Sequence, residues 1–295
     1  MTAASPTQDA PGKTLSPARR GDHIIDVLIA ERAPRLAASP AWPILRPTLY
    51  AILDYAKARR MADAIRPLPG RAGLEHVSKL LSVKVTAAGL ARIPRTGRAI
   101  VVCNHPTGIA DGVAVYDALK GVRPDLCFYA NSDAHRVSPG LIDVLIPVEW
   151  VEAKRTRERT RETLMLTREA MEAERCLVIF PAGRLARHQP NGKLADPPWA
   201  PSAVSLARKY ETPVIPMHIA GPWSGLFHFF DRFSGELRDM TLFHELLNKQ
   251  GRAFSLTVGQ PIGPEALDGE PAEAIARLKA YVEAVLPIEP DRPFA

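Results

Sequence analysis

Two short apolar runs, each breaking off into a loop of proline, glycine and charged residues, constrain this chain more than any other feature. The first, residues 98–104 (RAIVVCN), leads into HPTGIADG, and the second, residues 176–180 (CLVIF), leads into PAGRLAR. A nearly continuous apolar run of this length, bounded by turn residues, reads as a strand covered on both faces. Further candidate strands are KVTAAG (84–89), DLCFYA (125–130), VLIPVEWV (144–151), TPVIPMHIA (212–220) and AFSLTVG (253–259). Helix-length stretches separate several of them. One is the charged segment 154–174, in which Leu164, Leu166, Ala170 and Met171 are packing positions. This alternation predicts an α/β fold, a mixed, mainly parallel central sheet flanked by helices, with an N-terminal helical extension. In such sheets the loops that follow the strands are where chemistry concentrates.

The remaining segments complete the expected layout. Residues 1–20, rich in Pro, Ser, Thr, Gly and Ala, read as a disordered lead-in, residues 21–82 as a helical region and residues 83–290 as the principal domain. Within the helical region, residues 22–37 predict a short helix. Residues 42–65 predict a longer one, setting Leu49, Ile52, Leu53, Ala56 and Met61 against Lys57, Arg59 and Arg60. That mixture suits a helix resting on a membrane or covering an apolar entrance, and it suits equally a helix packed on its own core. Residues 222–250, rich in Phe, His and Leu, predict an inserted cover, and residues 263–287 a final turn and helix.

Composition narrows the partners. The 295 residues are 46% hydrophobic, enough for a substantial core, and the formal net charge of +6 favours anionic partners. Nucleic acid is disfavoured, because the basic run 154–162 (KRTRERTRE) alternates arginine with acid and lacks stacking aromatics. Cys103, Cys127 and Cys176 form no CxxC pair and lie in or beside apolar runs, which predicts buried thiols in a reducing compartment rather than disulfides or a zinc site. No stretch reaches the roughly 18 apolar residues of a membrane span, and no apolar core of a secretory signal precedes position 20. Together these predict a non-integral protein of a reducing, cytosolic compartment.

His105 directly follows the first strand, and Asp111 lies six residues on. If Asp111 accepts a hydrogen bond from one imidazole nitrogen, the other can take a proton from a hydroxyl, so the pair suits general-base chemistry. The plainer alternative is a turn in which Asp111 caps the next helix and His105 is merely polar. Neither Ser132 nor Ser138 lies in a G-x-S-x-G elbow, which favours direct attack by an acceptor hydroxyl over a covalent intermediate. In the second loop Gly183 allows close backbone approach, and Arg184 and Arg187 suit an anionic group, although a solvated arginine turn fits the same residues. The loop lacks the lysine and the glycine spacing of a nucleotide phosphate loop. Lys193, Trp199 and Arg208 would extend an anion-binding surface, with Trp199 also suited to burying its ring as an anchor.

NHPTGIAD at 104–111 and FPAGR at 180–184, with VLIPVEW at 144–150 and TPVIPM at 212–217, resemble the sequence blocks of the glycerolipid acyltransferase family, which includes lysophosphatidate acyltransferases. The resemblance spans roughly residues 83–220. NHPTGIADG and FPAG, with Ala182 where the family commonly has Glu, resemble most the bacterial hemolysin-like subgroup that includes acyltransferases making ornithine lipids. The resemblance implies direct transfer of an acyl group from an acyl carrier protein or coenzyme A thioester to a lysolipid hydroxyl. His105 would be the base and Asp111 its orienting carboxylate, with Asn104, Gly108, Gly183, Arg184 and Arg187 around the substrate. It implies no metal and no bound cofactor, and a membrane surface as the place of work. A thioesterase or lipid hydrolase, or a non-catalytic lipid-binding protein, would use similar features.

Overall fold

The structure, a computed structural model, describes residues 21–149, 156–189 and 194–295; the lead-in expected at 1–20 lies outside them, as do Trp150, Lys154 and Lys193. Five helices come first: α1 (Ile24–Arg32), α2 (Pro34–Ala37), α3 (Trp42–Ile52), α4 (Tyr55–Ile65) and α5 (Gly70–Leu81). Strands β1 (Lys84–Ala88) and β2 (Ala99–Cys103) then precede α6 (Ile109–Leu119), β3 (Cys127–Asn131), α7 (Asp133–Val137), β4 (Leu145–Val148), α8 (Arg157–Glu172) and β5 (Cys176–Ile179). A two-residue-per-strand hairpin, β6 (Arg187–His188) and β7 (Leu194–Ala195), leads to α9 (Ser202–Lys209) and β8 (Val214–Ala220). Three short helices, α10 (Gly225–Asp231), α11 (Gly235–Met240) and α12 (Leu242–Leu247), separate β8 from β9 (Ala253–Val258), and α13 (Pro271–Ala280) follows.

Seven strands make one sheet in the order β1-β9-β8-β2-β5-β3-β4, parallel throughout except where β8 meets β9. All seven expected strands are present, and the mixed, mainly parallel sheet agrees with the alternation in the sequence. Side-chain alternation sorts the core into two layers. Ala99, Val101 and Cys103 of β2 face a cluster that takes in the N-terminal helices and α6, whereas Ile100 and Val102 face one built with α9 and α13. The three cysteines are free and buried.

Two helices differ from their expected extents, each for a local reason. Residues 22–37 break at Pro34, whose ring cannot sit in a helix interior and instead starts α2. Residues 42–65 break at Asp54, which adopts φ 54° and turns the chain between α3 and α4. The two halves then behave differently. Ala58, Met61, Ala62 and Ile65 of α4 are buried, while α3 buries no residue and leaves Ile44 79% exposed. A buried aliphatic side chain contributes about 1.5–3 kcal/mol, so α4 is anchored in the core, while α3 only rests against it through the half-buried Trp42, Leu49 and Tyr50. Among the described residues no helix is long and apolar enough to cross a membrane.

Candidate active site

The sheet itself brings the two polar loops together. Strands β2 and β5 are parallel neighbours with Val102 opposite Ile179, so the loops that begin at Asn104 and Phe180 leave the same sheet edge side by side. Loop-to-loop contacts complete the junction. Ala186 donates its N–H to the His105 carbonyl at 2.9 Å, and the Phe180 ring lies 4.6 Å from the imidazole, centroid to centroid, tilted by 34°.

His105 Nδ1 lies 2.9 Å from Asp111 Oδ2. Asp111 is fully buried, and the same carboxylate accepts the Thr107 N–H at 2.9 Å, the Gly108 N–H at 3.0 Å and the Thr107 hydroxyl at 2.5 Å. A carboxylate can only accept, so opposite Asp111 the neutral imidazole carries its hydrogen on Nδ1 and keeps the Nε2 lone pair. Asp111 stands in the first turn of α6, so the helix-capping role and the imidazole-orienting role fall to one carboxylate. The two readings of the loop, kept apart in the sequence, coexist. Gly108 turns the chain with φ 86° and ψ −140°, and an added Cβ would come within 3.1 Å of Leu185 in the second loop.

A cleft of about 290 Å³ is lined by Gly108, Ile109, Gly183, Arg184, Leu185 and Arg187 from the two loops, next along the chain to His105 and Asp111. Arg32 of α1, Phe227 of α10 and Arg238, Leu242 and Glu245 of α11 and α12 also line it, so part of the 222–250 segment borders the cleft. Arg184 is exposed and has no hydrogen-bond or ion-pair partner among the described residues. Arg187 approaches Asp231 at 3.7 Å, and Asp231 also accepts from Arg238 at 2.8 Å. Against the opposing effect of burial, these guanidiniums hold the Asp231 carboxyl below its ordinary value. Among the described residues no cluster of three or more His, Cys, Asp or Glu side chains could hold a metal ion.

Asn104 departs from its expected place in the cleft. It is buried, its amide donates to the Ile219 carbonyl at 3.0 Å, and its side-chain oxygen accepts the Ile219 N–H at 2.7 Å. The side chain therefore extends the β2–β8 pairing by one step beyond the strand end, with the second amide N–H left over as a donor. Arg208 is likewise committed elsewhere, donating to the Leu267 carbonyl. Trp199 is buried and gives its indole N–H to Asp196 Oδ2 at 2.9 Å.

Asp196 went unrecognised in the sequence. Its two oxygens accept the His105 main-chain N–H at 3.1 and 3.0 Å, and its own N–H donates to Glu283 Oε1 at 2.8 Å. Burial pushes its carboxyl up to about 6 from an ordinary value of 3.8, opposed by the Trp199 hydrogen bond and by His105. A buried-residue signal was present in the stretch LADPPW, where an acid stands three residues before a tryptophan, but its partner lies 91 residues away in the chain.

Residues 84–220, which hold both polar loops and strands β1 to β8, match the sequence model of the protein family described as Acyltransferase. Over that stretch the chain is similar to that family. A lyso-glycine lipid O-acyltransferase of Phocaeicola vulgatus is 27% identical over 202 residues, 66% of this chain and 70% of that protein. One of the same name from Bacteroides thetaiotaomicron is 24% identical over 201 residues, 66% and 72% of the respective chains. Among solved structures, the 1-acyl-sn-glycerophosphate acyltransferase PlsC of Thermotoga maritima aligns over 86% of this chain and 96% of its own, with 16% identity and a TM-score of 0.44, a superposition too loose to support a further conclusion.

Proposed function

We propose that this chain is an O-acyltransferase that moves a fatty acyl group from an acyl carrier protein or coenzyme A thioester to the hydroxyl of a lysolipid, with His105 as general base and Asp111 as the carboxylate that orients it. The observation that supports this reading is the His105–Asp111 pair: a buried carboxylate fixes Nδ1 as the donor and leaves Nε2 to accept a proton. The acceptor hydroxyl oxygen attacks the thioester carbonyl carbon as Nε2 takes the hydroxyl proton. The tetrahedral intermediate then collapses, the C–S bond breaks, and the leaving thiolate recovers that proton from His105. No covalent acyl-enzyme is needed, in keeping with the lack of a nucleophile elbow in the sequence.

The acceptor headgroup would sit in the cleft along Gly108 and Gly183, with Arg184 as its unpaired cation and Arg187 beside it. Asn104 would act from behind this set, since its amide braces the Ile219 main chain and has one N–H to spare. The resemblance of NHPTGIADG and FPAG to the ornithine-lipid subgroup and the names of the two lyso-glycine lipid acyltransferases both favour a lysolipid with an amino-acid headgroup over lysophosphatidate. The unburied helix α3, with Ile44 and Leu45 exposed, would hold the protein peripherally on the cytoplasmic face of the membrane.

The test is transfer of a labelled acyl group from acyl carrier protein and from coenzyme A into lyso-glycine lipid, lyso-ornithine lipid and lysophosphatidate in micelles, with His105→Ala alongside. A His105-dependent acylated lipid establishes the reaction and names the acceptor. Release of free fatty acid alone, from folded protein, would establish a hydrolase instead.

A further inference from the structure

Asp196 stands out because a cheaper group would meet the bonding need it fills. The His105 N–H is the first donor after Asn104 at the end of β2, and any buried neutral acceptor would satisfy it. A carboxylate there is 4% exposed and makes no hydrogen bond to a cation among the described residues. Burying an ionised carboxylate this way opposes folding far more than burying an amide or carbonyl oxygen. The surrounding chain nevertheless fixes it closely. The β6–β7 hairpin delivers it, Trp199 is packed in the core and donates to it, and the next segment is tied to the second loop by the Ala200 N–H on the Pro181 carbonyl at 3.0 Å. With Ala186 holding the His105 carbonyl, both main-chain polar groups of His105 are bonded from outside its own loop.

We propose that Asp196 is a positioning residue for His105, holding the main chain from which the imidazole projects and placing a second fixed negative charge where it favours the imidazolium formed during transfer. The inference rests on His105 being the general base of the proposed reaction. Asp111 orients the ring through Nδ1, while Asp196 acts through the backbone and through space. The groups facing the two partners are few. Asp111 and Asp196 face His105. Asp196 faces Glu283, itself paired with Lys279, and the Cys103 thiol, which burial keeps neutral.

The test separates charge from clamping by comparing Asp196→Asn, which keeps an oxygen acceptor for the His105 N–H, with Asp196→Ala, which keeps neither. The readout that needs no turnover is a proton–carbon NMR titration of the histidine Cε1–H signals, with His105 assigned by its loss in His105→Ala. Loss of the neighbouring charge in Asp196→Asn is expected to move the His105 midpoint to lower pH by about half a unit or more. Transfer assays on the same proteins are expected to show kcat down about tenfold in Asp196→Asn and about a hundredfold in Asp196→Ala, with KM within about twofold of wild type. A wild-type midpoint and kcat in Asp196→Asn would overturn the inference and reduce Asp196 to a structural cap, with the acyltransferase reading intact. A shifted midpoint in a protein that transfers no acyl group would keep the coupling and overturn the reading it serves. Should Asp196→Asn fail to fold, wild type labelled at the Asp carboxyl carbons decides. A titration step shared by Asp196 and His105 supports the coupling, and two independent midpoints overturn it.

Discussion

Ala186 and His105 are joined by a main-chain hydrogen bond of 2.9 Å, N–H to carbonyl, although they belong to loops that leave different strands. The bond makes the second loop a structural support of the first, so the imidazole is oriented by Asp111 at its ring and by Ala186 and Asp196 at its backbone. Substitutions at each support should therefore act on different observables.

Replacing His105 with alanine removes the proposed proton acceptor while leaving Asp111 its three other donors, from Thr107 and Gly108. Acyl transfer at saturating donor is expected to fall by about 10²–10⁴-fold, with the circular-dichroism spectrum unchanged. A single-turnover assay with labelled thioester checks it.

Asp111→Asn should damage both activity and stability, because one carboxylate serves the ring, the Thr107 and Gly108 N–H groups and the first turn of α6. We expect kcat to fall by at least about tenfold and unfolding free energy by about 1–2 kcal/mol, measured by assay and urea titration on the same preparation.

Gly108→Ala places a Cβ on a backbone at φ 86° and ψ −140° and within 3.1 Å of Leu185. The expected loss is at least about 1 kcal/mol of stability, together with lower kcat as the two loops separate. Gly112→Ala is the matched control, since an added Cβ there meets nothing within 4 Å.

Stability should carry the signature of Asp196 between pH 4 and pH 6. Its folded carboxyl is raised to about 6 by burial, above the ordinary 3.8, so the native state binds the proton more tightly than the unfolded chain does. The sign is that of a buried acid: its contribution opposes folding increasingly as pH climbs through this window and is constant above it, amounting to about 3 kcal/mol at most. Asp196→Asn lacks that term. Relative to wild type, the variant is expected to gain stability between pH 4 and pH 7, as read from urea midpoints at each pH.

Ile44→Asp and Leu45→Asp in α3 should leave the thermal midpoint within about 1 °C of wild type, because no residue of that helix is buried. Sedimentation with anionic vesicles is expected to drop severalfold in the double variant.

Much of the architecture was legible because it depends on local pattern. Runs such as IVVC and CLVI signal covered strands without reference to anything distant, and the Pro–Gly loops mark their ends. Parallel pairing of β2 and β5 then makes the His105 and Gly183 loops neighbours. What stayed hidden is non-local or conformational. Asp54 breaks the 42–65 helix through a left-handed φ that aspartate tolerates but does not announce. Asn104 reads as a ligand-facing polar residue until Ile219, 115 residues away, is found bonded to its amide. Asp196 is one acid among 32 Asp and Glu residues until the fold sets it behind His105.

Among the described residues the outermost strand β1 pairs with β9 alone: Lys84 with Ala253 and Ala88 with Thr257. During synthesis residues 84–88 must therefore wait until residues 253–258 have left the ribosome before β1 can dock. Until β9 arrives the β8 edge stays open to intermolecular pairing, so nascent chains stalled before residue 253 should depend on chaperones.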